Sequence, residues 1–429
     1  GGRTAQEQIM RPVMTAESLP QLRHRMWSES AVLLVMVALG YHIVAALLTL
    51  PRVHGEQIKV VNVLFRHGVR SPVTFYPNDP YKGREYWPSG PGQLLNEGKR
   101  DQFRLGQFLR ARYAEVLSET YSPEEFKCQS SDVDRAIMSA QCNIAGLYPP
   151  RGDQMWHSSL QWQPVPIHTV PTSSDELFQE STDCRAIKRE MKRLRHSPRL
   201  AKINMENSRL FKNLSELTGV KVGSLLDIQD IYDTLLIETL NNMTLPAWAL
   251  DHFPDRLKPF NDMTFRIKTS TSVLKRLRGG PLLKTMRDNM ERAIDNKDSR
   301  MKLYMYAGHD ITVSALQDTM GVFNGLAPPF SAAVFVELIS KFPGHYVKVS
   351  YKNSSAPPHE LQIPGCDVLC PFEDFQRLTS DHIPDDWRRE CGDAPYSVYV
   401  GVIVGLVVAL LLMTGNAIFL CVKARSTTA

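Results

Sequence analysis

Apolar and polar residues change rhythm along this chain, and each change marks an element. The run Val60-Val61-Asn62-Val63-Leu64-Phe65 is short, β-branched and followed closely by a glycine, so it predicts a buried strand. Leu105, Phe108 and Leu109 continue an apolar face that predicts a helix, from the Trp87–Leu94 stretch to about Tyr113. Ala136-Ile137-Met138-Ser139-Ala140 predicts a second helix, with Arg135 at or near its N-terminus. Trp162 to Pro171 is punctuated by prolines, reads as extended and marks a boundary. Beyond it, residues 172–280 look mainly helical. In Arg185–Arg195 the apolar Ile187, Met191 and Leu194 fall at i, i+4 and i+7 opposite a basic face, and Leu225–Leu240 reads as a core-facing helix. Strand rhythm returns at Met301–Ala307, followed by a helix from about Ile311 to Met320. Val334–Leu338 and Tyr346–Tyr351 read as later strands forming a hairpin. Two α/β segments flanking a helical insertion predict an α/β fold with a cap over its site.

Two further apolar stretches have a different meaning. Residues 31–50, behind Arg23 and Arg25, read as a signal peptide or a signal anchor; cleavage is the preferred reading, because the C-terminus supplies an anchor of its own. Residues 398–422 carry no charge and are long enough for a transmembrane helix. Lys423 and Arg425 follow, which puts the tail 423–429 in the cytosol and the rest outside it or in a lumen. The expected division is therefore 1–50 as an N-terminal segment and 57–171 as the first part of the α/β domain. Residues 172–280 are the helical cap, 281–391 the second α/β part, 398–422 the span and 423–429 the tail.

Composition narrows the classes. With 43% hydrophobic and 22% charged residues the chain has the makings of an ample folded core. The net charge of +5 is spread among acids, so nucleic acid is not an expected partner. Cys366 and Cys370 have no histidine cluster nearby and suggest a disulfide rather than a metal pair, given an oxidising compartment. Asn213, Asn242 and Asn353 begin glycosylation sequons, which fits a secretory route.

The chemistry sits where strands end. The first strand runs into Arg66-His67-Gly68-Val69-Arg70-Ser71-Pro72, which sets an imidazole between two guanidiniums at a turn. An imidazole can attack phosphorus, and planar guanidinium forks hold phosphoryl oxygens bidentately. Arg135, at a helix N-terminus, is at a natural anion site. The later strand runs into Gly308-His309-Asp310, where Asp310 reads either as an N-cap or as half of an acid–base pair. In open α/β sheets ligands bind outside the carboxyl ends of strands, so both strands would serve one crevice.

These residues, with Asp132–Arg135, Trp162–Pro171, Thr244–Trp248, His309-Asp310 and Pro364–Cys366 with Cys370, make the chain similar to the histidine acid phosphatases. The similarity runs from about Lys59 to Cys391 and is nearest to the prostatic and lysosomal members. It implies a Rossmann-like three-layer α/β sandwich, the histidine phosphatase fold, with a smaller, mostly helical second domain. It implies His67 as nucleophile, Arg66, Arg70 and Arg135 as phosphate clamp, His309 as a further phosphate contact, and Asp310 as the acid for the leaving group. No cofactor or metal is called for. Disulfides Cys184–Cys391 and Cys366–Cys370 are implied too, while Cys128 and Cys142 are extra. Val69 and Ile311 stand where the family has Asp and Thr, and Ile237 and Ala333 replace a family disulfide.

The expected function is hydrolysis of phosphate monoesters through a phosphohistidine at acidic pH, by a membrane-anchored lumenal or extracellular enzyme. Alternatives are a phytase-like or lysophospholipid phosphatase, or a non-catalytic surface binding protein that kept the fold. The tail has no tyrosine sorting signal, so lysosome and cell surface both stay open, as does the oligomeric state, a homodimer included.

Overall fold

Strand β1 (Gln57–Arg66) is buried along most of its length and sends alternate side chains to opposite cores. Val60 and Leu64 enter one core; Val61, Val63 and Phe65 enter the other. The computed structural model in which this is seen describes residues 36, 39–41, 55–178, 184–298, 300–392 and 396–426. Residues 56–429 form one compact unit, separate from residues 1–55. Of the expected leader at 31–50 only residues 36 and 39–41 are described, all of them helical. The remainder of that segment, residues 1–30 and the last three of the tail lie outside the described residues.

The sheet adds β2 (Phe126–Ser130), β3 (Leu303–Gly308), β4 (Ala333–Lys341), β5 (Gly344–Lys352), β6 (His359–Leu361) and β7 (Leu369–Pro371) in the order β2-β3-β1-β4-β5-β6, with β7 on β5. β2, β3 and β1 are parallel, whereas β4 and β5 run antiparallel as the expected hairpin. The sheet is therefore mixed.

Helices α1 (Asn96–Arg112) and α2 (Asp134–Leu147) cover one face, meeting Phe65, Met305 and Phe335 through Leu105, Leu109 and Ile144. The chain then makes α3 (Arg185–Arg195), α4 (Pro198–Glu206), α5 (Ser208–Thr218), α6 (Ile228–Leu240), α7 (Ala247–Leu250), α8 (Lys258–Thr269) and α9 (Ser272–Arg278). Much of this helical stretch has its own core, in which Phe211, Leu214, Leu225, Ile228 and Leu235 meet Tyr76 from the loop after β1. Then α10 (Gly280–Ile294), α11 (Asp310–Thr319) and α12 (Phe372–Thr379) cover the second face, through Met286, Leu316 and Phe375. Helix, sheet and helix make the three expected layers.

Cys184–Cys391 and Cys366–Cys370 are both bonded, while Cys128 and Cys142 are free. The first bond joins the start of α3 to the end of α13 (Trp387–Cys391), and Ile187, Leu274, Leu277 and Trp387 pack around it. It links residues 207 apart, so it removes much freedom from the unfolded chain. Replacing both cysteines by alanine should lower stability by roughly 2–5 kcal/mol, read from the denaturant midpoint. Asn213, Asn242 and Asn353 are all exposed.

The stretch expected to span a bilayer falls within α14 (Tyr396–Ser426), whose Leu411, Leu412 and Ile418 are exposed. Among the described residues no helix is long and apolar enough to cross a membrane, so the span itself is not established.

Candidate active site

Register brings the two motifs together. Arg66 lies opposite Gly308 in the parallel β1–β3 pair, so His67 and His309 leave the sheet side by side. The His67 N–H donates to the Gly308 carbonyl at 3.0 Å, and the two rings meet edge to face with centroids 5.5 Å apart. His67 Nδ1 lies 2.9 Å from the Gly68 carbonyl oxygen. A carbonyl only accepts, so Nδ1 carries the proton and Nε2 keeps its lone pair. Arg135 Nε donates to that Nε2 at 3.2 Å. Arg135 is the second residue of α2, close to the expected place.

The turn is held from both sides. The Gly68 N–H donates to Ser139 Oγ at 3.0 Å, and that hydroxyl donates to the Arg135 carbonyl at 2.6 Å. A Cβ on Gly68 would lie 2.4 Å from the Gly98 carbonyl in the first turn of α1, so only glycine fits. Arg70 bridges to Leu94, and the Ser71 N–H donates to the Gln93 carbonyl at 2.9 Å. The strand end and the N-terminal ends of α1 and α2 thus fix the motif as one piece.

Around His67 the charges are paired. Arg66 donates through Nη1 to the Pro328 carbonyl at 2.7 Å and forms an ion pair through Nη2 with Asp310 Oδ2, also at 2.7 Å. Its guanidinium lies over the Phe330 ring, 4.0 Å from the centroid. Arg70 Nη1 pairs with Asp233 Oδ2 on α6 at 2.9 Å. His309 Nε2 is 2.8 Å from Ser131 Oγ at the end of β2. The N-cap of α11 is His309, whose N–H donates to Thr312 Oγ1 at 3.2 Å. Asp310 is therefore the first helical residue and not the cap, which frees Oδ2 for Arg66 while Oδ1 accepts from the Ile311 N–H at 2.7 Å.

Burial and charge set the protonation states. Burial first, and then Arg66, His309, Arg70 and Arg135, hold His67 well below an ordinary histidine, so it is neutral. Burial and then Arg135 push His309 down to about 3. Burial alone would raise Asp310, but Arg66, with Arg70 behind it, keeps the carboxyl below its usual range. In the free site Asp310 is thus ionised. Both histidines take up protons more readily in the unfolded chain than in the folded one. Stability should therefore fall as pH drops below about 6.5, for His309 by roughly 1 kcal/mol per pH unit down to about 3, with His67 acting in the same direction. Acid unfolding followed by circular dichroism checks this, and inorganic phosphate in the buffer should move the transition to lower pH.

All six residues picked out in the sequence, Arg66, His67, Arg70, Arg135, His309 and Asp310, meet in one cluster at the ends of β1 and β3. Four more contribute without having been foreseen: Asp233, Ser131, Ser139 and Phe330. Asp233 is one polar position in an amphipathic helix, and Phe330 follows two prolines in a loop. Neither carries a local pattern that points to His67.

The geometry can now be set beside known proteins. The family model described as histidine phosphatase superfamily (branch 2) matches residues 57–352. Lysosomal acid phosphatase of Bos taurus is 34% identical over 402 residues, which cover 92% of each chain. Prostatic acid phosphatase of Bos taurus is 36% identical over 345 residues, 79% of this chain and 89% of the relative. Among solved structures, the apo form of Hafnia alvei phytase superposes with a TM-score of 0.60 at 19% identity, over 80% of this chain and 99% of that one; it speaks for the fold alone. With both the match and the crevice on the same residues, the chain belongs to the histidine phosphatase superfamily, in its branch 2.

Proposed function

We propose that this protein is an acid phosphatase, hydrolysing phosphate monoesters through a phosphohistidine on His67. One observation carries the reading: Nδ1 is committed to the Gly68 carbonyl, so an unprotonated Nε2 is left beside the Arg135 guanidinium. Neutral, buried and oriented, that nitrogen is a ready nucleophile.

The steps follow from the pairs. The phosphoryl group displaces the carboxylates from Arg66 and Arg70, which then hold its oxygens together with Arg135 and His309. Asp310 loses its counterion in the same exchange. Burial then raises its pKa, and it takes a proton. Nε2 attacks phosphorus, the ester P–O bond breaks, and Asp310 gives its proton to the departing oxygen. Water next attacks the phosphohistidine while Asp310 takes a proton from it, and the P–N bond breaks to release phosphate. The acid is recruited only when substrate neutralises the arginines, and the proton that the carboxylate must take up favours acidic pH.

In this reading residues 172–280 act as a cap, with Asp233 on α6 as its link to the clamp. The catalytic unit resides in a lumen of the secretory route or outside the cell, as its two disulfides suggest. The uncharged run 398–422, followed by Lys423 and Arg425, is taken as a single-span anchor. The test is turnover of a chromogenic phosphomonoester from about pH 4 to 8, with trapping of the acid-labile phosphoenzyme. Acid-optimal turnover with labelling supports the reading; a folded protein with neither overturns it.

A further inference from the structure

The loop that follows the His67 motif runs along helix α6 and is pinned to it in three places. Arg70 pairs with Asp233 at 2.9 Å, and Thr234 Oγ1 donates to the Thr74 carbonyl at 3.1 Å. Further along, the carboxyl groups of Asp79 and Glu238 are hydrogen-bonded to each other. Loop positions 70, 74 and 79 thus meet helix positions 233, 234 and 238 in order. The first two contacts each join a donor to an acceptor. The third joins two acids, and two ionised carboxylates have no donor between them.

Burial makes this third contact demanding: Glu238 is 0% exposed and Asp79 2% exposed. Asp79 is supported, since its Oδ1 accepts from the Tyr81 N–H at 2.7 Å and the Lys82 charge acts on it. Glu238 is not. Among the described residues no N–H or hydroxyl donates to either of its carboxyl oxygens, and the buried Tyr76 Oη beside the pair donates to neither acid. Tyr76 and Tyr81 are the other titratable groups of the loop that act there, and burial raises Tyr76 so that it stays neutral. The elements packed on the loop add no charge at these contacts. The Trp248 ring of α7 lies 5.9 Å from the Tyr76 ring, and the Leu217 and Thr218 carbonyls of α5 accept from Asn78. Burial, and then Asp79, push the Glu238 carboxyl up, so it keeps its proton where an ordinary glutamate has lost it.

We infer that Asp79 and Glu238 share one proton and serve as a positioning pair for the reaction, seating α6 against the loop so that Asp233 sets the Arg70 guanidinium in the phosphate clamp. Without the proton, two buried negative charges face each other and part the helix from the loop. The effect on turnover rests on the phosphatase reading; the shared proton does not. The sign of the pH dependence follows. Parting the pair exposes Glu238 to water, where it loses its proton above about pH 4.3. Each pH unit above that value therefore favours the parted form tenfold, until the seated pair itself ionises. The clamp is held most firmly in acid, where Asp310 also takes up its proton.

The test uses the full chain between about pH 5 and 8. Amide exchange in segments 74–81 and 234–240, corrected for its intrinsic dependence on pH, should rise about tenfold per pH unit in the wild type. Glu238→Gln offers Asp79 an N–H at every pH, so its corrected exchange should be independent of pH. The infrared difference between the two proteins should contain the carbonyl stretch of one protonated carboxyl. Wild-type exchange without a pH dependence, an equal slope in the glutamine variant, or no such band overturns the shared proton. Turnover of a chromogenic monoester reads the positioning. Glu238→Ala should raise KM about tenfold with kcat little changed, and Glu238→Gln should restore it. Unchanged KM in the alanine variant, or equal losses in both, overturns the positioning role. If the alanine variant does not fold, the pH dependence of KM decides instead: it should be steeper in the wild type than in the glutamine variant, and equal dependence overturns the role. A folded chain with no turnover overturns the phosphatase reading alone, and exchange and the infrared band then still decide the pair.

Discussion

Replacing His67 with alanine is expected to abolish turnover, by about four orders of magnitude or more in kcat, and to eliminate the trapped phosphoenzyme. The size follows from the chemistry. The three arginines and His309 remain and can still bind phosphate, but the variant lacks the unprotonated Nε2 that the mechanism uses as nucleophile. Binding and catalysis should therefore separate, with inorganic phosphate still raising the thermal midpoint of the variant. The ring is buried against His309 and Phe330, and its Nδ1 bond to Gly68 is a local one, so the loss should not unfold the protein. A variant that keeps turnover would place the nucleophile elsewhere and remove the basis of the phosphohistidine mechanism.

The second large effect belongs to Asp310, and it depends on the substrate. Asp310→Ala should reduce turnover of an alkyl phosphate by about 10²–10⁴-fold, because a departing alkoxide needs a proton. A nitrophenolate needs little, so a chromogenic ester should lose far less. The pH profile offers a further signature. Wild-type activity should decline as pH rises above the pKa that Asp310 has in the substrate complex, and the variant should lack that decline. The structure explains why the free site is no guide to that pKa: Arg66 holds the carboxylate ionised at 2.7 Å until substrate takes the guanidinium. Equal losses on both esters would argue against the acid role. Asp310→Asn separates charge from shape, since it keeps a partner for Arg66 but cannot transfer a proton.

The parts of the site that could be read in the sequence are those whose logic is local. β1 alternates between two cores, so its rhythm appears in Val60 to Phe65. Arg66, His67, Gly68 and Arg70 lie within one turn of chain, and covalent proximity alone groups them. Arg185–Arg195 begins and ends where its periodicity said it would. The helix expected at Ala136–Ala140 runs on to Leu147, and the one expected from Ile311 starts a residue earlier, which has a chemical consequence. His309, one position earlier, is the N-cap residue of α11, and Asp310, the first helical residue, pairs with Arg66 while still accepting from the Ile311 N–H.

What the sequence determined by itself, then, was the identity of the reactive groups and the strand-to-turn and strand-to-helix settings that expose them. Only the tertiary structure decided how they are charged and held. The bond from Arg70 to Asp233 joins residues 163 apart, and that from Arg66 to the Pro328 carbonyl joins residues 262 apart. Such pairs leave no period in the chain, because their geometry comes from β3 settling beside β1 and from the helical stretch folding back over the loop that follows it. The neutral His67, the His309 pushed down to about 3 and the ionised Asp310 have the same origin. Each reflects burial among cations from distant segments, a sum over space that local sequence does not record.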